Sequence, residues 1–360
     1  IVKNVIFKSI LTIYCLILIY YFYKYRQLID VHGILQSRSL RFGTGGVFNN
    51  TIEAHFYNYI IGAFHYFTMA IVAFSVMFKR VKTYSFIFSI LGVFLHSGIG
   101  SGRGTLIGVA FFVLFGLVVN INTRATRAKR DNKLLKRIKF YFVGFGLFIY
   151  MGYLTAVRMG YNNLNTNTVL KVIGVLTEQM ITYVIGAFRA LDYAISHNIF
   201  EKMPIFGRAT FGAIDQLIGS FLTFLGIRYN VANYYIDNIT SESIRIGSSH
   251  THNALYTQVL HFYLDFGIIG IIIFSFLIGY LLRKSIVYFT INPSLPALAI
   301  CMIIFDASMR GVLRWWLGSP AVLIVLIISK MLSRESKHSN GIDERGLNYG
   351  NEDVKEIATN

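Results

Sequence analysis

His250-Thr-His-Asn-Ala-Leu-Tyr-Thr-Gln-Val-Leu-His-Phe-Tyr-Leu-Asp-Phe-Gly-Ile-Ile-Gly270 runs directly into the apolar segment from Ile271 to Leu282. A polar, histidine-bearing loop here becomes a membrane helix. If residues 253–266 are helical, Asn253, Thr257, His261 and Asp265 recur every four positions among Ala, Leu, Tyr, Val and Phe. Each step advances about 40° round the axis, so the four form one drifting polar stripe. An ionisable group turned to lipid costs about 2.5–3.5 kcal/mol even on the lenient insertion scale, so the stripe is expected to face protein or water. His261 and Asp265, one turn apart, are read as structural support that holds it there. Gly267 and Gly270 are expected to let a neighbouring helix approach closely.

The rest of the composition agrees with a membrane setting. Hydrophobic residues make up 54% and charged residues 14% of 360, far too apolar for a soluble chain of this length. The formal net charge of +17 is scattered among apolar runs rather than collected in a soluble domain. That pattern argues for loop charge and anionic ligands and against nucleic acid. Cys15 and Cys301 both fall in apolar segments, which sets disulfide and metal chemistry aside. The first apolar run is followed by Lys24-Tyr-Arg26 rather than a small-residue cleavage site, so it reads as a retained helix. Because the chain opens on Ile1, a fragment lacking upstream helices is expected.

Runs long enough to span, at about 20 residues each, lie near 4–23, 56–78, 84–101, 104–121, 140–157, 264–282, 295–309 and 316–333. The fold class is therefore all-α, a polytopic transmembrane helix bundle of about eight spans forming one integral membrane domain over residues 1–332. Lys79-Arg80-Val-Lys82, the cluster from Arg124 to Lys139 and Arg283-Lys284 are the dense basic runs, and all three fall on one side when eight spans are counted. The positive-inside rule makes that side cytoplasmic. Residues 24–55, a long loop over 158–253 and the short turn around Arg310 are then extracytoplasmic, and the polar tail 333–360 is cytoplasmic and expected to be disordered. Within the long loop, Val169 to Ile195 and Phe211 to Ile227 carry apolar stripes suited to interfacial helices, which would roof a cavity between the spans.

Arginine is the telling residue type of that loop. Arg158, Arg189, Arg208, Arg228 and Arg245 stand against only Lys171 and Lys202. A planar guanidinium grips phosphate oxygens bidentately, which a lysine cannot do, so these residues point to a diphosphate ligand. Pairing with Asp192, Asp215, Asp237 or Glu242 is the plainer alternative for each. Arg103 lies in Ser97-Gly-Ile-Gly-Ser-Gly-Arg-Gly104 at the outer mouth between two spans, where glycines allow close approach; snorkelling to the interface is its alternative. His252 is the candidate catalytic base, since an imidazole with pKa near 6.5 can accept a hydroxyl proton at neutral pH. His250, two residues earlier, would orient it or take its place. No third ligand for a metal is evident beside them, and no Gly-rich nucleotide loop occurs.

His252-Asn253-x-Leu255, followed by Asp265-Phe-Gly-x-x-Gly270, resembles the signature of bacterial O-antigen polymerases and the related O-antigen ligases. Gly102-Arg103-Gly104 resembles a Ser-Arg-Gly element of the same superfamily, with glycine in place of the serine, and Arg208 to Gly219 matches a loose arginine, ten residues, glycine pattern. The resemblance covers roughly residues 90–285. It implies a metal-independent membrane glycosyltransferase without a cofactor, set in the bacterial cytoplasmic membrane with its active site on the extracytoplasmic face. It also implies polyprenyl-diphosphate-linked oligosaccharides as substrates, and a chain-length regulator and a flippase as partners. His252 would be catalytic, with Arg103, Arg158, Arg189, Arg245, His250 and Asn253 binding substrate. Transfer of glycan to a lipid A core and non-catalytic glycolipid flipping remain the alternatives.

Overall fold

A computed structural model describes residues 2–40, 46–77, 82–99, 107–113, 115, 149–150, 152–153, 155–156, 166–197, 205–240, 244–245, 251–252, 257–291, 294–313 and 315–340. The described chain is mostly helical. In order, it contains α1 (Val2–Leu40), α2 (Thr51–His55), a π-helical turn (Phe56–Ile61) and α3 (Gly62–Met77). After α4 (Thr83–Gly98) and a helical stretch at 107–113 come α5 (Thr166–Ser196), α6 (Gly212–Phe224) and α7 (Ala232–Thr240). The strands β1 (Ile244–Arg245) and β2 (Thr251–His252) precede α8 (Gln258–Ile291), α9 (Leu295–Arg310) and α10 (Pro320–Asn340).

Local sequence explains several boundaries. Asn50 accepts from the Glu53 amide at 2.8 Å while the Glu53 carboxylate accepts from the Asn49 amide at 2.6 Å, a reciprocal cap that starts α2. Ser294 caps α9 and Pro296 occupies its first turn, where a missing N–H costs nothing. Both α1 and α8 contain a glycine with positive φ: Gly33 at 72° and Gly267 at 60°. Each helix therefore bends there.

Phe7–Gly33, Thr51–Ser75 and Gln258–Ile291 are 27, 25 and 34 residues long and apolar enough to cross a membrane. Each exceeds the ~20 residues that cover a ~30 Å hydrocarbon core, which fits a membrane protein. Thr83–Gly98 and Pro320–Leu332 are shorter apolar helices. The runs near 104–121 and 140–157 lie largely outside the described residues, as do the basic cluster 124–139 and the tail from 341 onward. One boundary differs from expectation: α10 continues to Asn340, eight residues into the stretch read as disordered tail.

Three cores form. The largest joins α3, α9 and α10 with residues 107–113 through Ala70, Ala73, Phe112, Leu298, Met302 and Val325. A second, rich in tyrosine, packs α1 against the π turn and α4 through Tyr14, Leu18, Tyr21, Tyr25 and Tyr57. The third is a small cluster in which Ala190 and Ala194 of α5, Ala209, Ile236 of α7 and Ile244 of β1 surround Leu260 of α8. It seats the segment before α8 on that helix.

The loop helices turn their bulk outward. On α5 the small residues Ala187, Ala190 and Ala194 are buried while Leu170, Ile181, Ile185 and Phe188 are exposed. On α6 Gly212, Asp215 and Gly219 face inward while Ile214, Ile218, Phe221 and Phe224 are exposed. In water this would be inverted amphipathicity; against lipid it is the ordinary arrangement.

Candidate functional site

The approach to α8 is set by a short ladder. β1 and β2 run antiparallel with Ile244 opposite His252 and Arg245 opposite Thr251. The ladder places Arg245 and His252, seven positions apart, on adjacent rungs. Ile244 is buried in the cluster with Leu260, whereas Arg245 is exposed. His250, Asn253, Arg103 and Arg158 lie outside the described residues. Arg189 lies on α5, exposed, and its Nη1 donates to Asp192 at 2.7 Å across one turn. Successive residues of a strand belong to opposite faces, so Arg245 shares its face with Thr251 while His252 shares the face of Ile244, and the pairing brings the two backbones close without putting Arg245 and His252 on one face.

Beyond the ladder α8 begins at Gln258, while residues 253–256, where the stripe was expected to start, lie outside the described residues. The Gln258 amide, one of the first-turn donors that has no acceptor within its own helix, donates to the Gly311 carbonyl at 2.7 Å. From Thr257 onward the stripe is inward, with Thr257, His261 and Asp265 all buried. Asp265 accepts from the Thr210 amide at 2.6 Å and from the Ala209 amide at 3.3 Å. The Thr210 hydroxyl donates to the His261 carbonyl at 3.3 Å, and Trp315 Nε1 donates to the Thr210 carbonyl at 2.8 Å. Thr210 thus ties the loop to two turns of α8 and to the segment before α10. A buried carboxylate fed by backbone N–H groups is compensated for its lost hydration, and such bonds are about twice as strong as neutral ones.

Gly267 does not admit a neighbouring helix as expected. Its backbone at φ 60°, ψ −148° breaks α8, and a Cβ there would meet nothing within 4 Å. Gly270 does permit close approach, but of its own helix: a Cβ would lie 2.5 Å from the Phe262 carbonyl oxygen. The bend folds the start of the long apolar half back onto the buried arm.

Arg208 has a structural partner. Its Nε donates to Asp215 Oδ1 at 2.8 Å, and its guanidinium lies 4.8 Å from the Tyr229 ring centre. Asp215 also accepts from the Tyr229 hydroxyl and the Ala232 amide, each at 2.6 Å. Burial works against the Arg208 charge, but Asp215 more than offsets it and holds the guanidinium above its ordinary pKa. Burial and Asp215 together push the Tyr229 phenol up. A Cβ on Gly219 would meet Val231 at 2.5 Å, so both ends of the Arg208 to Gly219 pattern have packing tasks.

A further polar centre has no counterpart in the sequence reading. Arg310, expected in a short outer turn, is buried in the last turn of α9 and ion-paired with Asp306 one turn earlier. Its guanidinium stacks on Trp316 at 4.0 Å, and Tyr66 is near enough to feel its charge. Nearby, His65 stacks on His96 at 3.9 Å, with its Nδ1 3.4 Å from the Tyr14 hydroxyl. The findable signal was the Asp306-x-x-x-Arg310 spacing inside an apolar run, which puts opposite charges on one helix face.

Among the described residues no group of three or more His, Cys, Asp or Glu is arranged to hold a metal ion. Comparison of the chain with protein-family models, curated proteins and solved structures finds no match.

Proposed function

We propose that this chain is an integral membrane glycosyltransferase that polymerises polyprenyl-diphosphate-linked oligosaccharide repeat units on the extracytoplasmic face of a bacterial cytoplasmic membrane. In this reading about eight helices span the bilayer, and the loop 158–253 forms an outer roof of interfacial helices. The observation that carries it is the short ladder that fixes the backbone of His252 directly before the buried arm of α8. The resemblance of residues 250–270 to the O-antigen polymerase signature supports the same assignment.

The chemistry follows from the residue types. His252 takes the proton from a hydroxyl of the acceptor sugar, and that oxygen attacks the anomeric carbon of the donor glycan. The bond from that carbon to the diphosphate breaks, and the electron pair leaves with the diphosphate. Arg245, with Arg103 and Arg158, neutralises the departing charge. Arg189, held by Asp192 on an exposed helix turn, is the weakest member of that set. A single displacement inverts the anomeric centre.

Purified protein in liposomes supplied with lipid-linked repeat units tests the reading. Wild type is expected to lengthen the glycan, and His252→Ala to lower the rate by about 10²–10⁴ fold with the protein still folded. Arg245→Ala is expected to lower it by about 10² fold. Transfer only onto a lipid A core would identify a ligase, and movement of intact glycolipid without new glycosidic bonds would identify a flippase.

A further inference from the structure

The centre around Arg310 carries more than a buried ion pair requires. Arg310 Nε, Asp306 Oδ1, His65 Nε2, Trp316 Nε1, Gln258 Oε1 and Thr257 Oγ1 are all buried atoms with no hydrogen-bond partner among the described residues. Arg310, Asp306, His65 and Thr257 are each more than nine-tenths buried. Three of these groups surround one guanidinium, and Gln258, with Thr257 beside it in the chain, lies against the next residue. Trp316 stacks on it, Asp306 pairs with it, and His65 is near enough to feel its charge. Gln258 presses on Gly311, the next residue, where any Cβ would lie 2.3 Å from Oε1. A Cβ on Gly108 would stand 3.7 Å from Arg310 Nη2, in ordinary contact.

Leaving one buried polar group unsatisfied costs about 1–3 kcal/mol, so six together mark a place built to receive polar partners. Their chemistry chooses the partner. Arg310 and Trp316 only donate, Asp306 Oδ1 and Gln258 Oε1 only accept, and Thr257 and His65 do either. Phosphate oxygens only accept, and Asp306 cancels the charge of Arg310, so a diphosphate gains neither enough donors nor net attraction here. A sugar hydroxyl donates and accepts at once. Adjacent hydroxyls of one ring fit such a mixed set.

We propose that Arg310, Asp306, His65, Trp316, Thr257 and Gln258 form a subsite for one neutral sugar residue of the glycan, separate from the arginines that meet the diphosphate. The identity of the ligand rests on the glycosyltransferase reading. The location agrees with it: Gln258 is six residues from His252 along the chain, within about 20 Å of extended backbone.

The test is a titration of the full chain in lipid nanodiscs, read by intrinsic fluorescence of Trp315 and Trp316, the only two tryptophans. The probes are glucose, galactose, mannose, rhamnose, N-acetylglucosamine and N-acetylgalactosamine, with inorganic diphosphate as the anionic arm. At least one sugar is expected to give a saturable change, weakened about tenfold or more in Gln258→Leu and in the near-isosteric Thr257→Val. Thr257→Val keeps the test valid if Gln258→Leu fails to fold. No saturable change with any sugar, or saturation by diphosphate in competition with sugar, overturns the subsite and leaves a hydrated polar core. Polymer formation that depends on His252 without sugar binding here would sink the subsite alone. Sugar binding without polymer formation would sink the enzyme reading alone.

Discussion

Asp265 is the side chain on which the loop and the membrane helix depend together. It holds two backbone amides of the 209–210 turn, and no neutral replacement restores both bonds. Asp265→Ala is expected to cost about 2–4 kcal/mol, seen as a lower thermal midpoint in detergent and faster proteolysis of the 205–211 turn. An unchanged midpoint would mean that the clamp contributes nothing. The two arginine pairs give a contrast in one assay. Arg208→Ala strips a buried Asp215 of its cation and should cost about 2 kcal/mol or more, whereas Arg189→Ala removes an exposed pair and should change stability by less than about 0.5 kcal/mol. At this scale spacing alone foretold that Thr257, His261 and Asp265 would share an inward face, because a four-residue step is a property of any helix. It could not reveal Thr210, which lies 55 positions from Asp265 and meets it only through the tertiary fold. Arg310 was missed for a related reason: a cation at the end of an apolar run reads as loop unless its carboxylate one turn back is read with it.

Among the elements, α8 shows most clearly where pattern reading ends. Hydropathy located its apolar half, yet the bend at Gly267 depends on backbone geometry that no periodicity encodes. The conformation at Gly267, φ 60° with ψ −148°, is nearly closed to other residues. Gly267→Ala is therefore expected to destabilise by about 1–3 kcal/mol. Gly279→Ala in the same helix should stay within about 1 kcal/mol of wild type, because its Cβ enters open space. Equal effects from the two would show that the bend is not held by glycine. The strands β1 and β2 were equally hidden, since two residues each are too few for an alternating pattern to register.

For the whole molecule, legibility followed composition. The apolar composition pointed to a membrane protein, and the three described helices long and apolar enough to cross a bilayer are consistent with that and overlap apolar runs that the sequence marks. The inside and outside faces rest on charge bias and can be tested directly. With Cys15 and Cys301 both buried and unavailable, single cysteines introduced as Arg189→Cys and Lys284→Cys report their own sides. A membrane-impermeant maleimide is expected to label the first in intact cells and the second only after permeabilisation. Labelling of both from one side would overturn the proposed topology. On α5 and α6 small and polar residues lie inward and large apolar ones outward, the pattern expected if these helices meet lipid as proposed.

The Thr210 junction has a consequence for recombination. Residues 209–210 are hydrogen-bonded to α8 through Asp265 and His261 and to Trp315, while Gln216 donates to the Gly318 carbonyl at 3.3 Å. Chimeras that graft a foreign outer loop onto this scaffold would exchange one half of each contact and strand the other. Trading residues 205–318 as one block keeps both halves of each of these contacts together and leaves the Tyr59–Ser220 hydrogen bond, 2.9 Å, to be matched across the new joint.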